Sequence, residues 1–202
     1  MTKVAHIIGN GRSCAMYEPA KGLKITCNLP PFEIRNVYTT TIVDFKMCKS
    51  MDEGSVTIPG DWVLGARPKK YCEMFPGFRM KFASQMKEFY THLPKYAKDY
   101  TAFNCGHMAT HYTANRLGCD EIHMYGFDTI FAFDITSTSD LILKSDRQTG
   151  NTQRLTNNWR PIWEGMFREF ENTQFVLYYH KDVEPLISLP KNVEVRIKGK
   201  TK

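Results

Sequence analysis

The chain has 202 residues, of which 42% are hydrophobic and 24% are charged, and its formal net charge at pH 7 is +6. This length fits one domain that buries a core without disulfides or metals, and the composition excludes a disordered or fibrous protein. The charge favours an anionic ligand, but basic runs that would demand nucleic acid are missing. No apolar run approaches the roughly 18 residues of a membrane span, so we expect a cytoplasmic protein.

The six cysteines are scattered along the chain, and no two of them form a C-x-x-C pair. This pattern disfavours both a zinc ribbon and a disulfide framework. It predicts reduced thiols in a reducing compartment.

The first predicted element is a buried central strand at residues 3–8, which stops at Gly9-Asn10-Gly11. Glycines let the backbone turn tightly and approach a ligand, and the amides of a following helical turn can bind phosphate. The full G-x-G-x-x-G pattern is absent, because Cys14 stands where the third glycine would be. The turn therefore predicts either a nucleotide site or an ordinary tight strand-to-helix connection.

Residues 23–27 predict a second strand, which ends at the breaker Asn28-Leu29-Pro30-Pro31, and residues 37–44 predict a third, because they are β-branched and aromatic. If these strands are parallel, Asn10, Asn28 and Asp44 lie at the same carboxyl edge of the sheet. Open α/β sheets bind their ligands at that edge. Residues 51–71 give no clear pattern.

The middle of the chain predicts two helices and a strand. Residues 80–93 have apolar side chains at helical spacing and are closed by Pro94, which predicts a helix that faces the core. Residues 106–117 predict a second helix that Gly118 ends. Residues 121–125 predict a strand that again runs into a glycine turn.

A long polar segment covers residues 131–157 and predicts a lid or active-site loop, with one helical piece at residues 140–144. Asn158 is expected to cap the helix that follows. Pro161 would then stand in the first helical turn, where proline is tolerated, and the following apolar residues form one stripe.

Two strands complete the predicted order. Residues 174–179 read as a buried strand, and residues 193–198 alternate like a half-buried edge strand. Strands and helices alternate over residues 1–202 without a repeat or a domain break. We therefore predict one domain of the α/β class, a three-layer, mostly parallel Rossmann-like sheet with helices on both faces.

Four short motifs stand in a fixed order: GNGRS at residues 9–13, CN at 27–28, NCG at 104–106 and EIHMYGFD at 121–128. Together they resemble the bacterial lipooligosaccharide sialyltransferases and the related Maf-type flagellin glycosyltransferase domain. In that family the corresponding motifs build the site for a cytidine monophosphate sugar. The resemblance thus implies a Rossmann-like fold that binds a nucleotide sugar.

The resemblance also implies which residues bind the nucleotide. They are Gly9, Asn10, Gly11, Ser13, Asn28, Asn104, Cys105 and Gly106. An asparagine offers both a donor and an acceptor to a base or a ribose without adding charge. The alternative for Asn10 and Asn28 is that they only occupy left-handed turn conformations, which asparagine tolerates.

The start of the second predicted helix allows other chemistry. Cys105 stands where the family has serine, which weakens a hydrogen bond to the donor, and Cys105 beside His107 raises the alternative of a thiolate nucleophile. His107 and His111 have the spacing of a two-histidine metal face. Met108 replaces the glutamate of a metalloprotease signature, so a histidine pair without metal is the preferred interpretation.

The catalytic positions depart from the family. The tyrosines expected after the G-x-D turn and the loop histidine base are missing, so sialic acid specificity is not supported. Asp128 and Asp134 remain as candidate catalytic carboxylates. Arg147, Arg154 and Arg160 are candidates for holding the donor phosphate, although such arginines more often solvate a loop.

The sequence therefore predicts a glycosyltransferase-like protein that transfers a sugar from a CMP- or UDP-type donor to an unknown acceptor. The missing Asp-x-Asp signature predicts that it needs no metal and no cofactor. One alternative is a catalytically inactive nucleotide-binding or assembly protein on the same scaffold. Another is a protein that binds or modifies nucleic acid, which only the charge and a basic tail support. The compact size fits a minimal enzyme such as a phage encodes.

Overall fold

The computed structural model describes residues 1–29, 32–134, 137 and 149–199, with side chains described from residue 154 onward in the last range. Its described strands form one parallel sheet. The strands are β1 Val4–Ile8, β2 Leu23–Cys27, β3 Val37–Ile42, β4 Trp62–Leu64, β5 Met86–Phe89, β6 Glu121–Tyr125, β7 Gln174–Tyr179 and β8 Val193–Ile197. Helices of the α type lie between β3 and β4, β4 and β5, β5 and β6, and β6 and β7.

The α-helices are α1 Phe45–Asp52, α2 Ala66–Met74, α3 Pro76–Lys81, α4 Cys105–His111 and α5 Thr149–Glu169. Helix α4 continues as a π-helical turn, Tyr112–Arg116, and short 3-10 turns follow β1 and β6 at Arg12–Met16 and Asp128–Ile130. Across the described ranges, no helix is both long enough and apolar enough to cross a bilayer.

The strand order across the sheet is β5-β4-β3-β2-β1-β6-β7-β8. The chain therefore moves outward from β1 to one edge, returns to the other side of β1 and moves outward again. The connections that leave β1 and β6 diverge to opposite sides, and in such sheets this point leaves a crevice outside the carboxyl ends of the strands. The fold thus places a ligand crevice above β1 and β6.

Helices cover both faces of the sheet, as the alternation along β4 shows. Val63 packs into the core that contains the buried faces of α4 and α5. Trp62 and Leu64 point the other way, into a second core with α1 and α2. The α/β, three-layer, Rossmann-like prediction is confirmed, and the sheet is entirely parallel in the described strands.

The predicted helix at residues 80–93 is wrong. Helix α3 ends at Lys81, and Met86–Phe89 forms the edge strand β5. The apolar residues have helical spacing by coincidence, because Phe82 lies in the turn before the strand and packs on the Trp62 ring at 5.2 Å. A short, half-buried edge strand has no continuous apolar run that would identify it.

The predicted start of the last helix is also wrong. Helix α5 begins at Thr149, so Asn158 is an exposed residue within it and Pro161 lies in its interior. Proline is most common in the first helical turn, which explains the misplaced boundary. The helix occupies residues 149–157 of the predicted lid loop, and the predicted helical piece at residues 140–144 lies outside the described residues.

The turns after β1 and β6 are packed so closely that we expect Gly126 to be irreplaceable. Gly126 has φ +82°, and a Cβ there would lie 2.9 Å from the Gly9 carbonyl oxygen and 3.0 Å from Cys14 Cβ. Gly60 is the matched control, with φ +79° and no atom within 4 Å of an added Cβ. Gly60→Ala should cost about 1–2 kcal/mol of unfolding free energy from the left-handed backbone.

Gly126→Ala should lower the unfolding free energy clearly more, because the carbonyl groups of Gly9 and Gly11 would have to move away from the added Cβ. Urea unfolding of the two variants measures the difference. Equal losses would contradict the close contact between the two turns.

Candidate active site

A cavity of about 270 Å³ lies in the predicted crevice. It is lined by the turns that follow β1, β2, β3 and β6, by the start of α4 and by two tryptophans of α5. Its volume is near the lower end of small-molecule sites, which span roughly 300–1,000 Å³. The strand ends that the sequence placed on one edge therefore do meet around one cavity.

The cavity collects most of the residues predicted to bind a nucleotide. Those that line it are Gly9, Asn10, Gly11, Asn28, Asn104, Cys105 and Gly106. Ser13 does not line it, since its side chain is fully buried and its hydroxyl pairs with His180 Nδ1 at 2.7 Å. Asp128 lines the cavity, whereas Asp134 is exposed and outside the lining.

The two glycine amides of this turn are not available to bind a phosphate. The Gly9 N–H donates to the Tyr125 carbonyl at 2.7 Å, and the Gly11 N–H donates to the Gly126 carbonyl at 3.0 Å. The next turn is 3-10 rather than α-helical. The glycines are needed because the two turns approach so closely that a Cβ on Gly11 would lie 2.7 Å from the Gly126 oxygen.

Asp128 anchors the turn that follows β1. Both of its carboxylate oxygens accept from the Ser13 N–H, at 3.2 and 3.3 Å. Its side chain is only 6% exposed, and Oδ2 lies 3.9 Å from His180 Nδ1. A carboxylate at the amino end of a helical turn satisfies otherwise unpaired amides. Asp128 therefore has a structural role of its own, besides facing the cavity.

Asn10 and Asn28 each use one half of the side-chain amide. Asn10 Nδ2 donates to the Cys27 carbonyl at 3.0 Å, and Asn28 Nδ2 donates to Asp44 Oδ2 at 3.2 Å. The Oδ1 atom of each is buried and has no hydrogen-bond partner. Asn28 has φ +52°, so the left-handed interpretation holds for Asn28, but Asn10 is not among the described residues with positive φ.

The indole nitrogens of Trp159 and Trp163 are also buried and have no hydrogen-bond partner. Five buried side-chain polar atoms lack a partner within the described ranges, and four of them belong to residues that line this one cavity. An unpaired buried polar group costs about 1–3 kcal/mol. Their concentration around one cavity makes it the candidate binding site of the described residues.

Two charged residues of the cavity had no functional role in the sequence-based prediction, which placed Asp44 at the sheet edge and did not identify Arg67. Asp44 follows β3 and Arg67 lies in the first turn of α2, and Arg67 Nη1 is 3.7 Å from Asp44 Oδ1. Their side chains are 34% and 43% exposed, so both can reach a ligand. Arg67 falls in the stretch of residues 51–71 where the sequence has no clear pattern, and therefore only the fold reveals it.

Of the arginines predicted to hold phosphate, the two that the structure describes, Arg154 and Arg160, do not line the cavity. Arg147 lies outside the described residues, and Arg154 is exposed on α5. Arg160 is buried and donates to Asn157 Oδ1 and to two main-chain carbonyls after β6, at 3.0 to 3.2 Å. Burial lowers the pKa of Arg160. Its guanidinium thus ties α5 to the segment after β6.

Cys105 is not an activated nucleophile. Its thiol is buried and donates to the Thr41 carbonyl at 2.9 Å. Burial raises the pKa of the Cys105 thiol well above its ordinary value. This corrects the thiolate alternative, because the reactive form is the thiolate.

His107 and His111 do not form the two-histidine metal face that their spacing allowed. Asn104 caps α4 by accepting from the His107 N–H at 3.0 Å, and the Asn104 N–H donates to His107 Nδ1 at 3.1 Å. The His107 ring is fully buried, 4.5 Å from the ring of Trp163. His107 is therefore part of a capping box that holds the cavity wall in place.

The chain matches no known protein family, no curated protein and no solved structure. The chemistry of the cavity residues therefore carries the functional assignment.

His107 makes the stability of the protein depend on pH. Burial lowers its pKa from 6.5 to about 3. The folded protein keeps the ring neutral where the unfolded chain protonates it, so unfolding takes up a proton and stability falls as pH drops through that window. His107→Gln, which can keep the capping box, should remove this slope, about 1.4 kcal/mol per pH unit.

Urea unfolding of both proteins at about pH 6.5 and about pH 5 tests this prediction. If the two proteins lose the same unfolding free energy between these pH values, the pKa of His107 is not lowered in the folded protein.

Proposed function

We propose that the cavity binds a nucleotide-activated sugar of the CMP or UDP type, and that the protein transfers the sugar without a metal at this site. The observation that carries the proposal is the set of unpaired amide oxygens and indole N–H groups around one cavity at the sheet's crevice. A base and a ribose present both donors and acceptors, as this set requires. The resemblance of the four motifs to nucleotide-sugar transferases gives the same ligand class.

In this proposal, different cavity residues contact the base, the ribose and the phosphate of the ligand. Asn10 Oδ1 and Asn28 Oδ1 accept from base amino or ribose hydroxyl groups. Phe103 and Phe127 line the cavity and offer aromatic faces to a base. Arg67 lines the cavity, unlike Arg154 and Arg160, and takes the phosphate, since a guanidinium can pair with two phosphate oxygens.

The transfer needs a base near the acceptor. The acceptor oxygen forms a bond to the sugar carbon as the bond from that carbon to the phosphate oxygen breaks, and the nucleotide leaves with the electron pair. A carboxylate takes the acceptor's proton. Asp44 is better placed for this than Asp128, because Asp44 is 34% exposed, while Asp128 is 6% exposed and accepts from Ser13.

The second candidate is a nucleotide-binding protein without turnover on the same scaffold. Two observations favour it. The Asp128 carboxylate is already occupied in binding the Ser13 N–H, and the tyrosines that the sialyltransferases have after the G-x-D turn are absent. Nucleic-acid binding has only the net charge of +6 in its support. For either candidate we propose a cytoplasmic location, since all six cysteines are free and buried.

Calorimetry with CMP, UMP, AMP, GMP and the corresponding nucleotide sugars tests binding. We expect a pyrimidine compound to bind, and Asn28→Gly to weaken it at least tenfold by removing the amide without straining the backbone. Asn36→Gly is the matched control, because Asn36 also has positive φ, +56°, but is exposed and outside the cavity. Folded protein that binds none of these compounds would refute the proposal.

Turnover is tested by measuring nucleotide release from the donor that binds, in the presence of candidate sugar acceptors. Asp44→Asn should bind the donor within a few-fold of the unchanged protein and lower the rate roughly 100-fold or more, the loss typical of a general base. Binding of the donor without release by the unchanged protein would favour the second candidate. An Asp44→Asn variant with full activity would exclude Asp44 as the base.

A further inference from the structure

Three side chains of metal-binding type meet outside the nucleotide cavity. His92 follows β5, His111 ends α4 and Glu169 ends α5, and none of them lines that cavity. One ligand atom from each lies within 4.8 Å of the other two. His111 is buried, whereas His92 and Glu169 are exposed. A solvent ion can therefore reach a cluster whose inner ligand is held firmly.

The distances suit a small tetrahedral ion. Zinc bonds to nitrogen and oxygen at about 2.0–2.1 Å, which places ligand atoms roughly 3.4 Å apart. His111 Nε2 and Glu169 Oε1 are already 3.4 Å apart. The His92 ring is stacked on the His111 ring, with centroids 4.4 Å apart and planes at 21°. The ligand atoms all lie within 4.8 Å of one another. Because an imidazole nitrogen donates in the plane of its ring, the exposed His92 side chain must turn out of this stack to bring its nitrogen to about 3.4 Å from the other two ligand atoms.

A second layer of hydrogen bonds orients the ligands. His111 Nδ1 pairs with the Tyr90 hydroxyl at 2.7 Å, and Asn115 Nδ2 donates to the same hydroxyl at 3.0 Å. The Tyr96 hydroxyl donates to Glu169 Oε2, which leaves Oε1 facing His111. Metal-binding histidines commonly have such outer partners.

We propose that His92, His111 and Glu169 form a binding site for a divalent transition-metal ion of the zinc type. Two imidazoles and one carboxylate suit zinc, whereas magnesium and calcium prefer oxygen ligands. Water fills the fourth position. The ion links the segment after β5 to the carboxyl ends of α4 and α5, and this role is independent of the nucleotide cavity.

The full chain, purified without a metal-binding tag and freed of metal by a chelator, is titrated with Co²⁺ as a spectroscopic probe. We expect one equivalent to give the visible absorption of tetrahedral cobalt and Zn²⁺ to displace it. Glu169→Gln should weaken binding at least tenfold, and Glu171→Gln, an exposed carboxylate two residues away, should not. Tyr90→Phe should weaken binding roughly 10- to 100-fold through the orientation of His111.

His92→Gln provides a second test at an exposed position, and circular dichroism establishes that each variant is folded. The His92→Gln variant should also bind cobalt at least tenfold more weakly than the unchanged protein. The proposal fails if the folded protein gives no tetrahedral cobalt spectrum or if thiolate charge-transfer absorption shows that the cysteines bind the ion. It also fails if His92→Gln and Glu169→Gln bind cobalt as tightly as the unchanged protein.

Discussion

The contact between the turns after β1 and β6 is the constraint on which the candidate site depends. Two main-chain hydrogen bonds, from Gly9 to Tyr125 and from Gly11 to Gly126, join the turns at the point where the sheet changes direction. The Asp128 carboxylate adds a third link to Ser13. Because side chains are excluded between these turns, the crevice opens above them and not between them. The same glycines that resemble a phosphate-binding loop here work as a close backbone junction.

This junction explains why the polar groups of the cavity wall come from other elements. The Gly9, Gly11 and Ser13 amides already have main-chain or carboxylate partners, so in the proposed function recognition depends on side chains such as Asn28 after β2 and Trp163 of α5. These side chains carry unpaired polar atoms in a buried place, which is unfavourable for the empty protein. In the proposed function the ligand restores these hydrogen bonds, and a compound without the matching groups would leave the polar atoms unpaired and bind more weakly.

The sequence predicted the buried central strands well because parallel strands covered on both faces are continuous apolar runs bounded by turn residues. It failed at β5, where an edge strand shows no such run, and at the start of α5, where Pro161 resembled a helix start. It placed Asn28 and Asp44 at one edge through topology alone. Arg67 and the His92 cluster could not be predicted, since their partners come from distant segments and no local pattern marks them.

The pairing of β1 with β6 also bears on how the chain reaches its native state. The main-chain nitrogen of Lys3 donates to the Asp120 carboxylate at 2.6 Å, across 117 positions of sequence. Contacts of such long range make folding slow, because the loop must close before they are formed. During synthesis β1 lacks one of its two neighbours until β6 has left the ribosome. The crevice therefore forms late, and a shortened chain that ends before β6 would leave the main-chain N–H and C=O groups on that edge of β1 unpaired and open to strand addition by other proteins.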